Sequence, residues 1–231
     1  MRRTILFRAG HICTAIVAVM IFSGSVSAQG PTLEQLKAKV EKQYEKIYDL
    51  FKNGPAHQLY PLNPRERLRR WQGDLDDAFA AAEVTIGQIL RFHPSDQDYW
   101  LERRETMRLY STPVSPPETR EVFGKTELEK TARLLDAPAA KYPDSALAAK
   151  AKGEVRLRLV LAGDGTVKYI FPMKPLQHGL TEAAMEAAKQ IKFEPGIRHG
   201  KPASQFYTLS YEFKNGKGKP PYVPEHEFYI D

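Results

Sequence analysis

The residues of this chain that could ligate a metal or move protons are six histidines, one cysteine and scattered carboxylates, and their spacing supports neither chemistry. His11, His57, His93, His178, His199 and His226 are isolated, and none stands in an HExxH or related spacing that would place two imidazoles on one helix face. Glu225-His226-Glu227 follows Lys219-Pro220-Pro221 in a proline-bearing tail, where a solvated segment accounts for it. Asp76 and Asp77 are adjacent on an expected helix, and helix neighbours one residue apart do not share a face, so they make no acid–base pair. No GxSxG elbow or phosphate-cradling glycine loop occurs, and Gly163-Asp164-Gly165 reads as a hairpin turn. The sequence is read as a non-enzyme without cofactor or metal.

The remaining chemistry is that of the backbone. Gln205 to Phe213 alternates strictly, with Tyr207, Leu209, Tyr211 and Phe213 on one face and Phe206, Thr208, Ser210 and Glu212 on the other. The first set is the core face, and the second is expected on an open face. As the last strand in the sequence it has no obvious outer partner. Its unpaired N–H and C=O groups would then be a template for an incoming extended segment. Ser204, Phe206, Thr208, Ser210 and Glu212 are the candidate partner-binding positions along it, with backbone groups supplying most of the pairing.

Several elements must position that strand. Glu154 to Leu161 alternates Val155, Leu157, Leu159 and Leu161 against two arginines, the glycine-flanked Asp164 makes a turn, and Val167 to Phe171 resumes the alternation up to Pro172, which closes the strand. From Leu180 the period changes to three and four, through Ala184, Ala187 or Ala188 and Ile191, which predicts a helix of about three turns. Thr181 is its expected N-cap, and Pro195 forbids continuation. Gly196 to Pro202 reads as a turn-rich connector.

The pieces Tyr142-Pro143, Ala146, Gly153-Glu154-Val155, Asp164-Gly165-Thr166-Val167, Leu180-Thr181-Glu182-Ala183-Ala184, Phe193-Glu194-Pro195 and Gly200-Lys201-Pro202, in this order over about a third of the chain, resemble the C-terminal domain of TonB proteins. The resemblance implies an α+β fold in which helices pack on a three-stranded antiparallel sheet. It also implies that the last strand pairs with the TonB box of a TonB-dependent outer-membrane receptor, as part of energised transport driven by the ExbB–ExbD motor. Tyr142 and Pro143 are either partner contacts, as the family implies, or a lead-in that packs a ring on the sheet. Lys192, His199 and Lys201 could meet an acidic segment, or be simply solvated.

The N-terminus bears on compartment. Arg2, Arg3 and Arg8 precede an apolar run from Ile12 to Phe22, and Val26-Ser27-Ala28 offers small residues before Gln29, the layout of a signal peptide cleaved after Ala28. The competing reading is an uncleaved anchor, since the 20 residues from Ala9 to Ala28 reach about 30 Å as a helix. Either way the chain is exported to the periplasm, free or tethered to the inner membrane. Cys13 is the only cysteine, so the exported part has no thiol chemistry. Of the formal +6, three charges belong to the leader, leaving 31 basic against 28 acidic residues. That is an ordinary surface and no signature of a nucleic-acid partner.

Between leader and C-terminal domain the pattern is helical. Leu33, Leu36, Val40, Tyr44, Ile47 and Phe51 form one stripe ending near Asn53-Gly54-Pro55. Asn63-Pro64-Arg65-Glu66 starts a second helix whose stripe runs from Leu68 to Ile89, and Ser95 is placed to cap a third through Tyr110. These could form a small antiparallel bundle, or the first two could be a hairpin docked on the C-terminal domain. Leu128 to Asp136 is expected to hold a helical turn. The organisation expected is a leader or anchor over 1–28, a helical region over 29–111, a linker over 112–137, the TonB-like domain over 138–214 and a tail over 215–231. The proline-rich spacer of TonB is missing, because the 17 prolines are scattered. An envelope scaffold or assembly factor without motor coupling is therefore the alternative. A homodimer through the free edge is a further possibility the pattern allows.

Overall fold

A computed structural model describes residues 30–55, 63–111 and 121–224. The leader, the Thr112–Pro117 linker and Glu225-His226-Glu227 lie outside the described residues. Three helices come first: α1 (Leu33–Asn53), α2 (Pro64–Leu90) and α3 (Gln97–Ser111). Their ends are set locally. Thr32 and Gln35 make a reciprocal capping box at α1, which stops at Gly54 (φ 60°). Asn63 and Glu66 do the same at α2, with Pro64 in the first turn. The α3 helix begins at Gln97, two residues beyond the expected Ser95 cap.

Then follow β1 (Val122–Phe123), a 3₁₀ turn at Lys125–Glu127, β2 (Arg133–Asp136), α4 (Asp144–Ala148), β3 (Gly153–Leu161), β4 (Val167–Lys174), α5 (Leu180–Lys189), β5 (Lys192–Glu194), β6 (Gly196–Arg198), β7 (Lys201–Lys214) and β8 (Lys217–Gly218). The main sheet runs β1-β7-β3-β4, with β6 and β8 also paired to β7, while β2 and β5 form a separate ladder. The fold is α+β as expected, but the sheet is larger than three strands and mixed, because β1 joins β7 in parallel.

Four local readings are corrected. Pro172 does not end β4 but pairs opposite Leu157 within it, between register shifts, which an edge strand tolerates because its outer side needs no N–H. Thr181 is not the N-cap of α5. Gly179 takes that position at φ 78°, and the Thr181 hydroxyl instead bonds Leu176 at both N and O, 2.8 Å each. Leu128–Asp136 carries the extended β2, held against β5 by Arg133 on Glu194 at 2.8 Å. Gly196–Pro202 is a hairpin, not a plain connector: His199 (φ 49°) and Gly200 (φ 70°) turn β6 into β7, and the Glu129 carboxylate accepts from both turn amides at 2.7 and 3.3 Å.

The sheet has a core on each face. On one, Val155, Leu157, Leu159, Leu161, Leu209, Tyr211 and Phe213 pack with Leu180, Ala184 and Ala188 of α5 and Ala146 of α4. On the other, Phe171 and Met173 of β4 enter the same apolar cluster as α1, α2 and α3. The two helical arrangements the sequence leaves open are combined, since α2 packs on both α1 and α3 and the bundle docks on the sheet. Phe171 is the hub of this docking, with its ring 5.3 Å from Phe79, 5.8 Å from Tyr48, 6.1 Å from Tyr44, 6.2 Å from Tyr110 and 6.4 Å from Phe51. The Tyr110 hydroxyl adds a polar tie, donating to the Tyr169 carbonyl at 2.7 Å. No helix among the described residues is long and apolar enough to cross a membrane.

Candidate functional site

The strand expected to be a bare edge is an interior one. Against β3, β7 pairs without interruption from Leu161↔Gln205 to Gly153↔Phe213. Its other rim is occupied by the chain itself: β1 lies along Ser204 and Gln205, β8 along Phe213 and Lys214, and Tyr222 bridges to Ser210. The reason is a second hairpin. Asn215 (φ 54°) and Gly216 (φ 70°) fold the tail back on β7, because two consecutive positive-φ positions make the twist-matched turn that Asn-Gly favours. That dipeptide was the available signal, and reading 215–231 as a plain tail misses it.

The ladder fixes which backbone groups face this rim. Ser210 N donates to Tyr222 O at 2.9 Å, and Tyr222 N donates to Ser210 O at 3.0 Å. Antiparallel pairing alternates the two sides, so Leu209 and Tyr211 bond β3 while Ser210 and Glu212 turn outward. Glu212 O accepts from Lys219 N at 3.0 Å, consistent with that alternation. Thr208 lies two residues from Ser210, directs its backbone to the same rim, and has no second ladder partner among the described residues.

Two of the side chains expected on an open face are buried, and Ser210 Oγ accepts from Arg156 Nε at 3.3 Å. Thr208 and Ser210 are 3% and 0% exposed. The half-buried Phe206 packs on the helical cluster, its ring 5.9 Å from Tyr110 with the Arg158 guanidinium 4.8 Å from its centre. Ser204 Oγ accepts from Gly163 N at 3.1 Å, and Glu212 pairs with Lys219 at 2.5 Å. Tyr142 and Pro143 lie near the end of β7 that pairs with β8. The Tyr142 ring meets Phe213 at 5.8 Å and its hydroxyl donates to the Ala151 carbonyl, while Pro143 precedes α4 as its N-cap.

A charged cluster, unnoticed in the sequence, flanks the rim. Glu154 accepts from Lys174 at 3.0 Å, Arg156 at 3.1 Å and the Tyr222 hydroxyl at 3.0 Å. Partial burial raises its pKa, but bonds from Ser210, Lys174, Arg156 and Tyr222 outweigh that and hold it down to about 2. Hydrogen bonding by Lys219 likewise holds Glu212 below the usual carboxylate range. No cluster of three or more metal-ligating side chains exists among the described residues. The rim groups of β7 thus pair with extended backbone, and the Glu154 carboxylate accepts from donor side chains, both here from the chain itself.

Residues 138–214 match the family model of the Gram-negative bacterial TonB protein C-terminal. No curated protein matches the sequence. This third of the chain is a TonB C-terminal-like domain, of a family of periplasmic interaction domains that engage outer-membrane receptors.

Proposed function

We propose that the domain binds an extended segment of an outer-membrane receptor, of the TonB-box kind, by strand addition at the outer rim of β7. The observation that supports this reading is that the rim pairs with extended backbone of both directions, β1 in parallel and the tail in antiparallel fashion. Ser204, Phe206, Thr208, Ser210 and Glu212 then contribute mainly through their main chain. Tyr142 and Pro143 pack at the α4 end of the domain and are candidates for a partner contact there. No catalytic step is assigned. The exported chain would act in the periplasm, with the stretch before Leu33 as leader or tether.

The test is Ser210→Pro, which removes the rim donor that now bonds Tyr222. Capture of receptor-derived peptides should be lost while far-ultraviolet circular dichroism stays native. Undiminished capture by the folded variant would overturn the mechanism.

A second reading, an envelope scaffold without motor coupling, draws on the docking of α1–α3. These helices share a core with the sheet instead of forming an extended spacer, so residues 33–111 add no long reach toward the outer membrane. Mass spectrometry finding a mature chain that starts at Gln29 favours the scaffold; a retained anchor that co-purifies with ExbB–ExbD favours transduction.

A further inference from the structure

We propose that the tail segment from Lys217 to Tyr222 is a displaceable latch that occupies the docking rim and competes with the incoming strand. This rests on the strand-addition reading and adds its regulation.

The two sides of β7 are held very differently. Toward β3 the ladder has nine consecutive pairs and buried side chains. Toward the tail it has two pairs at β8, one bond at Glu212 and one bridge at Ser210. Between those last two the tail slips register. The hairpin sets Lys217 opposite Lys214 and Gly218 opposite Phe213, which would place Pro221 opposite Ser210, yet Tyr222 pairs there, one residue later. The slip falls at Pro220-Pro221, two residues with no N–H to give to a ladder. Tyr222 and Val223 are each 48% exposed. A strand with few bonds, two missing donors and little burial opens locally at a cost far below global unfolding.

The latch is nonetheless addressed to this place. Its backbone takes both groups of Ser210, its Lys219 takes the Glu212 carboxylate, and the Tyr222 hydroxyl takes Glu154. An incoming strand needs the same outward groups. While the tail is closed the binding-competent fraction is small, so the apparent affinity of a partner is reduced by that fraction.

Two measurements test it. In native-state amide exchange on the full chain, the Ser210 and Tyr222 amides should exchange at least about 100-fold faster than those of Leu209 and Tyr211; equal rates would make the tail a permanent strand and overturn the latch. In fluorescence anisotropy with a synthetic TonB-box peptide of an outer-membrane receptor, a chain ended after Lys219 should bind roughly tenfold tighter than the full chain. Tyr222→Ala in the full chain should shift affinity the same way and guards against a misfolded truncation. Capture by all forms at equal affinity sinks the latch alone, whereas capture by none sinks the strand-addition reading and the latch's role with it.

Discussion

The Tyr222 hydroxyl donates to the Glu154 carboxylate at 3.0 Å, so a residue of the C-terminal tail is fastened to the start of β3 across the rim of β7. Tail closure and the charge of one carboxylate are thereby coupled. Replacing Tyr222 by Phe keeps the ring and the backbone bridge but removes this bond. A hydrogen bond of this kind contributes about 1 kcal/mol net. The Ser210 amide should exchange about fivefold faster in Tyr222→Phe than in the parent, with the Leu209 amide unaffected.

Acid should release the same contact. The Glu154 pKa falls from 4.5 to about 2 on folding, so its contribution is complete above the unfolded value and is lost as pH falls through the folded one. The Tyr222 ring resonances should hold their closed-state positions well below pH 4.5 and move toward solvent values as the pH falls through about 2. In Glu154→Gln that transition should be missing.

Gly216 is favoured at its position by its left-handed backbone, while the nearest side chain is the movable tip of half-exposed Leu147. Its φ is +70°, and an added Cβ would lie 3.0 Å from Leu147 Cδ2. Gly216→Ala should cost about 1–2 kcal/mol through the left-handed conformation alone, read as faster exchange at Lys219 and Tyr222. If the tail of this variant stays protected, the turn does not govern tail closure.

Phe171 is the test of whether helices and sheet unfold together. It is 1% exposed and its ring meets five other aromatic rings drawn from α1, α2 and α3. Phe171→Ala should destabilise by about 3–5 kcal/mol, seen in urea unfolding followed by the fluorescence of Trp71, which is buried in α2 and bonds Leu50 O at 2.8 Å. Tyr110→Phe, losing only the bond to Tyr169, should cost about 1 kcal/mol. An early, separate loss of the Trp71 signal in Phe171→Ala would mean that the bundle unfolds without the sheet.

By itself the sequence determined what depends on near neighbours. The capping box at Asn63 and Glu66, the α1 stripe from Leu33 to Phe51, the β3–β4 hairpin and the core face of Leu209, Tyr211 and Phe213 all follow from period, turn chemistry and propensity within a few residues. The order of short motifs from Tyr142 to Pro202 was enough to place the domain in its family. Tertiary structure decided what depends on which distant surfaces meet. A strand's alternation is the same whether its second face meets water or protein, so nothing at Thr208 or Ser210 announces that they are buried, and nothing at Phe206 that it packs on the helical cluster. Likewise, no residue of β7 records whether its outer N–H groups are bare. That depends on β1, some 80 residues earlier in the chain, and on a tail whose pairing competes with solvation and with any partner strand.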